Sequence, residues 1–426
     1  MPSPTLPRLL ATLAVVAAIG FFAAAAEASS RKPNIVVIFT DDVGYGDLTI
    51  HGCKDISTPH LDALLRKGIR CVNGYVMASI CAPSRSALLT GRHPQRLGLT
   101  ANHQPLPRDE RTLGDYFRVL GYRTACIGKW HQSGESTKSP KASEFAPTKR
   151  GFDHFEGGLG HSVNTRPAEV KRDVDKGLAF LREKGEQPRF LYLALGACHT
   201  PLADDDASLA RVGPNVAEKR RPYAASLIGL DDAIGRFMNG MDDAGLWKDT
   251  IVWFVNDNGA KLAEGSSSVP LRDGKYSLYD GGVHVPFAVI WEGRLPARKF
   301  EGLICTMDIL PTSLTAIGAE VPKDRLLDGI DLWLVLSGKT PPDRDRAIYW
   351  HGMVQGGGVG FGVVRQRSWR LLNPNFNSAE TKKSATVELY DLATDPGETK
   401  NVAAANPDIV RRLSELMVQQ RDRLRK

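Results

Sequence analysis

The chain has 426 residues, 42% of them hydrophobic, with 55 Lys and Arg against 48 Asp and Glu. That length gives one large domain with an appendage, or two ordinary domains, and the apolar content supplies a sizeable core. The net charge of +7 suits an anionic ligand but does not call for nucleic acid, and no tandem zinc-finger, Arg-rich or stacked-aromatic pattern accompanies it.

The first segment, residues 1–28, reads as an export signal. Arg8 supplies a thin positive region, Leu9 to Ala26 is apolar and Ala-rich, and Ala26-Glu27-Ala28 fits a small-x-small cleavage site. An uncleaved membrane anchor is the alternative, since the run is nearly long enough to span. Cleavage leaves no stable membrane span, and the expected location is periplasmic or secreted. Such a compartment permits disulfides. The cysteines are Cys53, Cys71, Cys81, Cys126, Cys198 and Cys305. Their spacing suggests no zinc site, and it does not reveal a pairing.

Short apolar runs at Asn34 to Thr40, Thr124 to Ile127, Phe190 to Leu195, Ile251 to Val255 and Phe287 to Trp291 predict buried strands of a parallel sheet. Helical patterns lie between them. Ser57-Thr58-Pro59 caps a helix over Leu61 to Lys67, stopped by Gly68. Thr112 to Leu120, Val174 to Lys184 and Ala224 to Met241 are three more, and Arg211 with Lys219 to Arg221 reads as a solvated approach to the last. Strands alternating with helices predict an α/β fold. Beyond residue 343 the character changes. Val363 to Leu372 and Val387 to Leu392 predict antiparallel strands, Asp395-Pro396-Gly397 a turn, and Pro407 to Leu424 a helix. The expected division is a catalytic domain over 29–342 and a small α+β subdomain over 343–426, with Gly356-Gly357-Gly358 the most flexible point.

In open α/β sheets, ligands sit beyond the carboxyl ends of the strands. The first strand ends in Asp41-Asp42, the second in Lys129-Trp130-His131, the third near His199 and the fourth in Asp257-Asn258. Asp41, Asp42, Asp257 and Asn258 are hard oxygen donors, a set that suits calcium or magnesium rather than zinc. Calcium is favoured because it accepts several carboxylates at once. Lys129, His131, His199, Arg85 and Lys275 add positive charge and proton donors. Together they describe a site for a tetrahedral oxyanion, phosphate or sulfate.

The segment Ile80-Cys81-Ala82-Pro83-Ser84-Arg85-Ser86-Ala87-Leu88-Leu89-Thr90-Gly91 resembles the type I sulfatase family. A second signature, Gly121 to His131, also matches. So do shorter stretches in the same order: Pro33 to Leu48, His199-Thr200-Pro201, Asp257-Asn258-Gly259, Gly274-Lys275 with Gly281-Gly282-Val283, and Glu388 to Asn401. The resemblance implies an alkaline phosphatase-like fold: a large, mixed, mostly parallel sheet flanked by helices, with a C-terminal antiparallel sheet. It also implies that a maturation enzyme oxidises Cys81 to formylglycine before folding is complete. The implied metal set is then Asp41, Asp42, Cys81, Asp257 and Asn258. In the implied reaction the aldehyde hydrate attacks sulfur, and Arg85 holds and orients its hydroxyl. His131, with Lys129 nearby, takes the proton that releases sulfate, while His199 and Lys275 hold the sulfate oxygens and assist the departing alcohol. Pro83 at a helix start puts Cys81 just before that helix, where exposed N–H groups favour an anion.

Gln132 stands where the family often has Leu, and Asn256 where it often has Thr. Neither is expected to touch a residue assigned to chemistry. The stretch from Gly158 to Arg189 is short where loops usually shape the substrate pocket. The other histidines, His51, His60, His93, His103, His154, His161, His284 and His351, read as surface or structural, and His103 and His161 are the two to test for substrate contact. The expected substrate is a sulfated carbohydrate or other sulfated small molecule. The alternatives are a phosphodiesterase or phosphonate monoester hydrolase of the same superfamily, and a non-catalytic binder of sulfated glycans in which Cys81 stays a thiol.

Overall fold

The computed structural model describes residues 32–134, 144–354, 358–374, 376 and 386–425. The proposed export segment and Gly356-Gly357 lie outside them. An eight-stranded sheet runs β5-β4-β6-β1-β7-β8-β2-β9. Its members are β1 (Asn34–Thr40), β2 (Ile69–Cys71), β4 (Arg123–Lys129), β5 (His154–Gly158), β6 (Arg189–Ala194), β7 (Thr250–Asn256), β8 (Phe287–Ile290) and β9 (Arg298–Phe300). The two-residue strands β3 (Gly74–Tyr75) and β10 (Ile304–Cys305) pair beside it.

The apolar runs are strands because both faces of the sheet are covered. Along β1, Ile35, Val37 and Phe39 face one core while Val36 and Ile38 face the other, all fully buried. Each such side chain contributes about 1.5–3 kcal/mol of burial. Helices α1 (Pro59–Lys67), α4 (Pro167–Arg182) and α5 (Arg221–Asp243) cover the second face. Helices α2 (Cys81–Thr90), α3 (Leu113–Val119) and α6 (Ile309–Ala316) cover the first. Thr112 caps α3, its side chain accepting from Asp115 N–H.

Strand β8 departs from the parallel expectation and runs antiparallel to β7, with Val255 opposite Phe287 and Val252 opposite Ile290. A run buried on both faces carries no mark of its direction. Residues 257–286 leave and re-enter at the same end of the sheet, so no crossover helix is needed. That long return passes directly over the carboxyl ends of β1 and β7.

The C-terminal part forms a four-stranded antiparallel sheet of β11 (Ala347–Val354), β12 (Gly358–Gln366), β13 (Trp369–Asn373) and β14 (Glu388–Asp391), with helix α7 (Pro407–Leu424) behind it. Trp350, Val363 and Leu372 face the main core, and Tyr349, Val364 and Leu371 face Leu413 and Met417 of α7. The single strand expected over Val363 to Leu372 is broken into two. Gln366 pairs with Trp369 across a two-residue turn in which Arg367 has φ 56°. Arg220 is also not solvated as expected; it bonds Asp47 (2.8 Å) and Asp55 (2.8 Å). All six cysteines are free and buried.

Candidate active site

Four parallel strands deliver the site from the ends of β1, β4, β6 and β7. The register Thr40 to Asn256 between β1 and β7 puts Asp41-Asp42 beside Asp257-Asn258. Asp42 N–H points at Asp257 Oδ1, 3.4 Å away. Helix α2 brings Cys81 in from the first face. Cys81 is the first residue of that helix and not the residue before it; Pro83 lies in the first turn. Ala82 N–H donates to Asn102 Oδ1 (3.0 Å), Pro83 has no N–H, and Ser84 N–H donates to Ile80 O (3.2 Å). The helix end therefore offers fewer free N–H groups to an anion than expected, and cationic side chains take over that work.

Asp41, Asp42, Cys81 and Asp257 each present a ligand atom within 4.8 Å of the others, and Asn258 Oδ1 lies 3.4 Å from Cys81 Sγ. Asp42 Oδ2 is buried without a hydrogen-bond partner, which marks a lone pair directed at something outside the chain. The donor set is oxygen-rich and fits a hard divalent cation. Electrostatics point the same way. Burial raises Asp41, but Lys129, His199, Arg85 and Lys275 outweigh it and hold its carboxyl well below the usual range. Burial and the neighbouring Asp41 push Asp257 up. Crowded carboxylates pull one another apart in this way, and a cation between them relieves the repulsion.

Arg85 is fully buried and faces the carboxylates, not the open pocket. It bonds Asp257 Oδ2 through Nε (3.1 Å) and a terminal nitrogen (2.8 Å), Asp41 Oδ2 (3.1 Å), Lys129 O (3.3 Å) and Tyr192 Oη (3.4 Å). Its donors are spent on orienting those carboxylates, so holding a substrate-side hydroxyl is not what this geometry offers. Lys129 also pairs with Asp41. Lys275 Nζ reaches Asp42 Oδ1 (2.6 Å) and Cys81 Sγ (3.2 Å). Burial lowers the Lys275 pKa, but Cys81 and the three carboxylates overcome it, so the ammonium persists. Burial and Asp257 push the Cys81 thiol up to about 12, so the side chain is no ready thiolate.

A cavity of about 670 Å³ opens above Cys81, with His131, His199 and Lys275 around its buried end. His199 Nδ1 sits on Thr200 O (2.7 Å), which makes Nδ1 the donor and leaves Nε2 for a ligand. His131 Nδ1 is buried without a partner, and burial reinforced by Lys129 and Arg85 pushes this ring down to about 2, keeping it neutral. His103 and His161 line the open end, with the His161 ring 6.0 Å from His131 and 5.9 Å from His199.

The two departures from the family pattern do touch the site. Gln132 Nε2 donates to Ala82 O (2.9 Å) and His131 O (2.8 Å), tying the start of α2 to the histidine. Asn256 Nδ2 donates to Val43 O (2.9 Å) and Asn258 O, and its Oδ1 accepts from Thr40 Oγ1 (2.9 Å). Asn102, Tyr276 and Lys261 also line the cavity and were not foreseen. They lie on loops, where no periodicity marks which side chain turns inward.

The chain matches the family model described as Sulfatase over residues 33–319, and that of the N-sulphoglucosamine sulphohydrolase C-terminal region over residues 273–423. It is 31% identical to arylsulfatase A of Homo sapiens, over 93% of this chain and 89% of that one. It is 30% identical to N-acetylgalactosamine-6-sulfatase of Rattus norvegicus, over 91% and 84%. Among solved structures it resembles Ps i-CgsB in complex with k-i-k-neocarrahexaose, with TM-score 0.78 and 27% identity over 91% of this chain and 93% of that one. The chain belongs to the sulfatase family, and it is a sulfuric ester hydrolase.

Proposed function

We propose that this enzyme removes sulfate from a sulfated carbohydrate, using a formylglycine made from Cys81 and a calcium ion held by Asp41, Asp42, Cys81, Asp257 and Asn258. The observation that carries the reading is the position of Cys81. It is buried at the floor of the cavity, 3.2 Å from Lys275 Nζ and 3.4 Å from Asn258 Oδ1, inside the carboxylate cluster. A formylglycine hydrate at Cys81 would supply an attacking and an expelling hydroxyl, and calcium held by the carboxylates would acidify the first and neutralise sulfate charge.

The chain's own residues do the rest. Lys275 and His199 Nε2 face the space where sulfate oxygens would sit, and they offset charge that grows on the departing alcohol. His131, neutral and with Nδ1 unpartnered, accepts the proton whose removal frees sulfate. Arg85 and Lys129 keep Asp41 ionised and fixed, which makes them positioning residues. Asp41, Asp42 and Asp257 balance Arg85, Lys129 and Lys275 in charge, so a divalent cation would leave the site with the sign that attracts sulfate.

Cys81 is 1% exposed, which supports conversion by a maturation enzyme before the fold closes. Residues 1–28 support export to the periplasm or beyond, and no helix among the described residues is long and apolar enough to cross a membrane. The carbohydrate is supported by the names of the galactosamine sulfatase relative and of the oligosaccharide complex.

The test pairs aryl sulfate with aryl phosphate diester and adds a panel of sulfated sugars. The expected result is turnover of the sulfates and of at least one sugar, with the Cys81 peptide lighter than the unmodified thiol form. Faster hydrolysis of the diester would favour the phosphodiesterase alternative. An intact thiol with no turnover would favour a glycan binder.

A further inference from the structure

We infer that the substrate's alcohol carries a second ring beyond the one that bears the sulfate, and that Tyr276 is the specificity-determining residue that seats it. The inference rests on the sulfatase reading and deepens it.

Tyr276 follows Lys275 directly and has φ +73°. A bulky side chain rarely adopts that left-handed conformation, and such residues concentrate where a site needs a side chain in one place. The backbone is held there by Tyr276 N–H donating to Ser79 O (2.9 Å), two residues before Cys81. The ring is partly exposed and lies beside the Lys275 ammonium, 5.7 Å from its centroid.

Tyr276 lines two cavities. One is the catalytic cavity described above. The other, about 300 Å³, shares Tyr276 and Asn102 with it as lining residues. Met77, Ile80, Pro83, Pro94, Leu99 and Leu278 supply its apolar walls. Ile80 and Pro83 flank Cys81, so the second cavity adjoins the nucleophile's own helix turn. Its volume is at the small end of ligand sites, about 300–1,000 Å³, and suits one ring. Ser79, Thr100 and Asn102 place hydroxyl and amide groups among the apolar walls. That mixture fits a ring with an apolar face and a polar edge, stacked on an aromatic side chain. Such a ring can come from a sugar or from an aryl group.

The test uses both sources. In one arm, kcat and KM are measured for phenyl sulfate and 4-biphenylyl sulfate. In the other, N-acetylgalactosamine 6-sulfate and a disaccharide containing it are compared as competitive inhibitors of phenyl sulfate hydrolysis. The wild type should favour the two-ring member of at least one pair by roughly tenfold, mainly through KM or Ki. Tyr276→Gly, which relieves the left-handed backbone, should bring that ratio close to one, and Tyr276→Phe should restore it. Ala101→Trp, which fills the second cavity, should also collapse it. A preference in the aryl arm alone identifies an aryl alcohol, and one in the sugar arm a glycan. Turnover of both aryl sulfates with no two-ring preference in either arm would overturn this inference alone. No turnover of any sulfate ester would overturn the sulfatase reading with it.

Discussion

Lys275 Nζ lies 3.2 Å from Cys81 Sγ, although the two residues are separated by 194 positions. The same ammonium holds Asp42 Oδ1 at 2.6 Å, so one cation spans Cys81 and the carboxylate cluster. Cys81→Ala should abolish turnover of a sulfate ester. Lys275→Met should keep the fold and lower kcat by about 10²–10³, the scale for losing one preorganised oxyanion donor. Steady-state kinetics beside a thermal melt check this; full activity in Cys81→Ala would sink the formylglycine reading.

The proposed ion at the carboxylate cluster is calcium. Elemental analysis of the purified enzyme should find about one calcium per chain, and chelation should lower both activity and Tm. Returning calcium at a hundred times its Kd should restore about 2.7 kcal/mol of stability. Asp257→Asn should weaken the response to calcium. Stoichiometric zinc with neither calcium nor magnesium would count against the assignment.

The proposed roles put His131 and His199 in different halves of the reaction. His131→Ala should retain sulfate on the enzyme and give a burst of about one alcohol per site before stalling, because a lost general base costs about a hundredfold or more. His199→Ala should slow the first step and show no burst. Rapid-quench measurement of the alcohol distinguishes them, and the reverse pattern would exchange the roles.

Helix α1 depends on a distant cap. The side chain of the expected cap residue, Thr58, accepts no backbone N–H of the first turn, and its Oγ1 donates instead to Asp62 Oδ1 (3.3 Å). Asp231 of α5 instead accepts from Leu61 N–H (2.8 Å) and His60 N–H (3.0 Å), and pairs with His60 Nδ1 (2.8 Å). Asp231→Ala should destabilise by about 2 kcal/mol, the upper range for a lost helix cap, with kcat little changed. A denaturant melt measures it.

Both carboxylate oxygens of Asp173 on α4 accept from Asn164 Nδ2 (2.9 and 2.8 Å), yet burial pushes its pKa up to about 6 from an ordinary 3.8. The folded state therefore keeps a proton that the unfolded state has lost between those values. The stability it contributes is complete below the unfolded value and is lost as pH rises through about 6. Asp173→Asn should melt several degrees higher than wild type above neutrality and nearly level with it at about pH 4, a difference on the order of 2–3 kcal/mol. Equal melting offsets at both ends would refute it.

Much of the chemistry is legible in the chain because it is local. The β1 run, its Asp41-Asp42 ending, the motif around Cys81 and the Asp257-Asn258 ending are each contiguous, and parallel strands bring their carboxyl ends together whatever the loops do. Asn256 and Gln132 are a different case. Both are visible as departures from the family, but that they bond Asn258 O and His131 O depends on which way a side chain turns after its strand.

The linear chain carries the family resemblance, the strand-end donors and the continuous apolar run that is buried on both faces in β1. The folded arrangement sets the antiparallel run of β8, the use of Arg85 on Asp41 and Asp257, the Asp231 cap on α1 and the place of Tyr276 on the lining of two cavities. The physical reason is separation along the chain. Each of these depends on groups from distant segments meeting in a buried place, and propensity and periodicity report only on neighbours within a few residues.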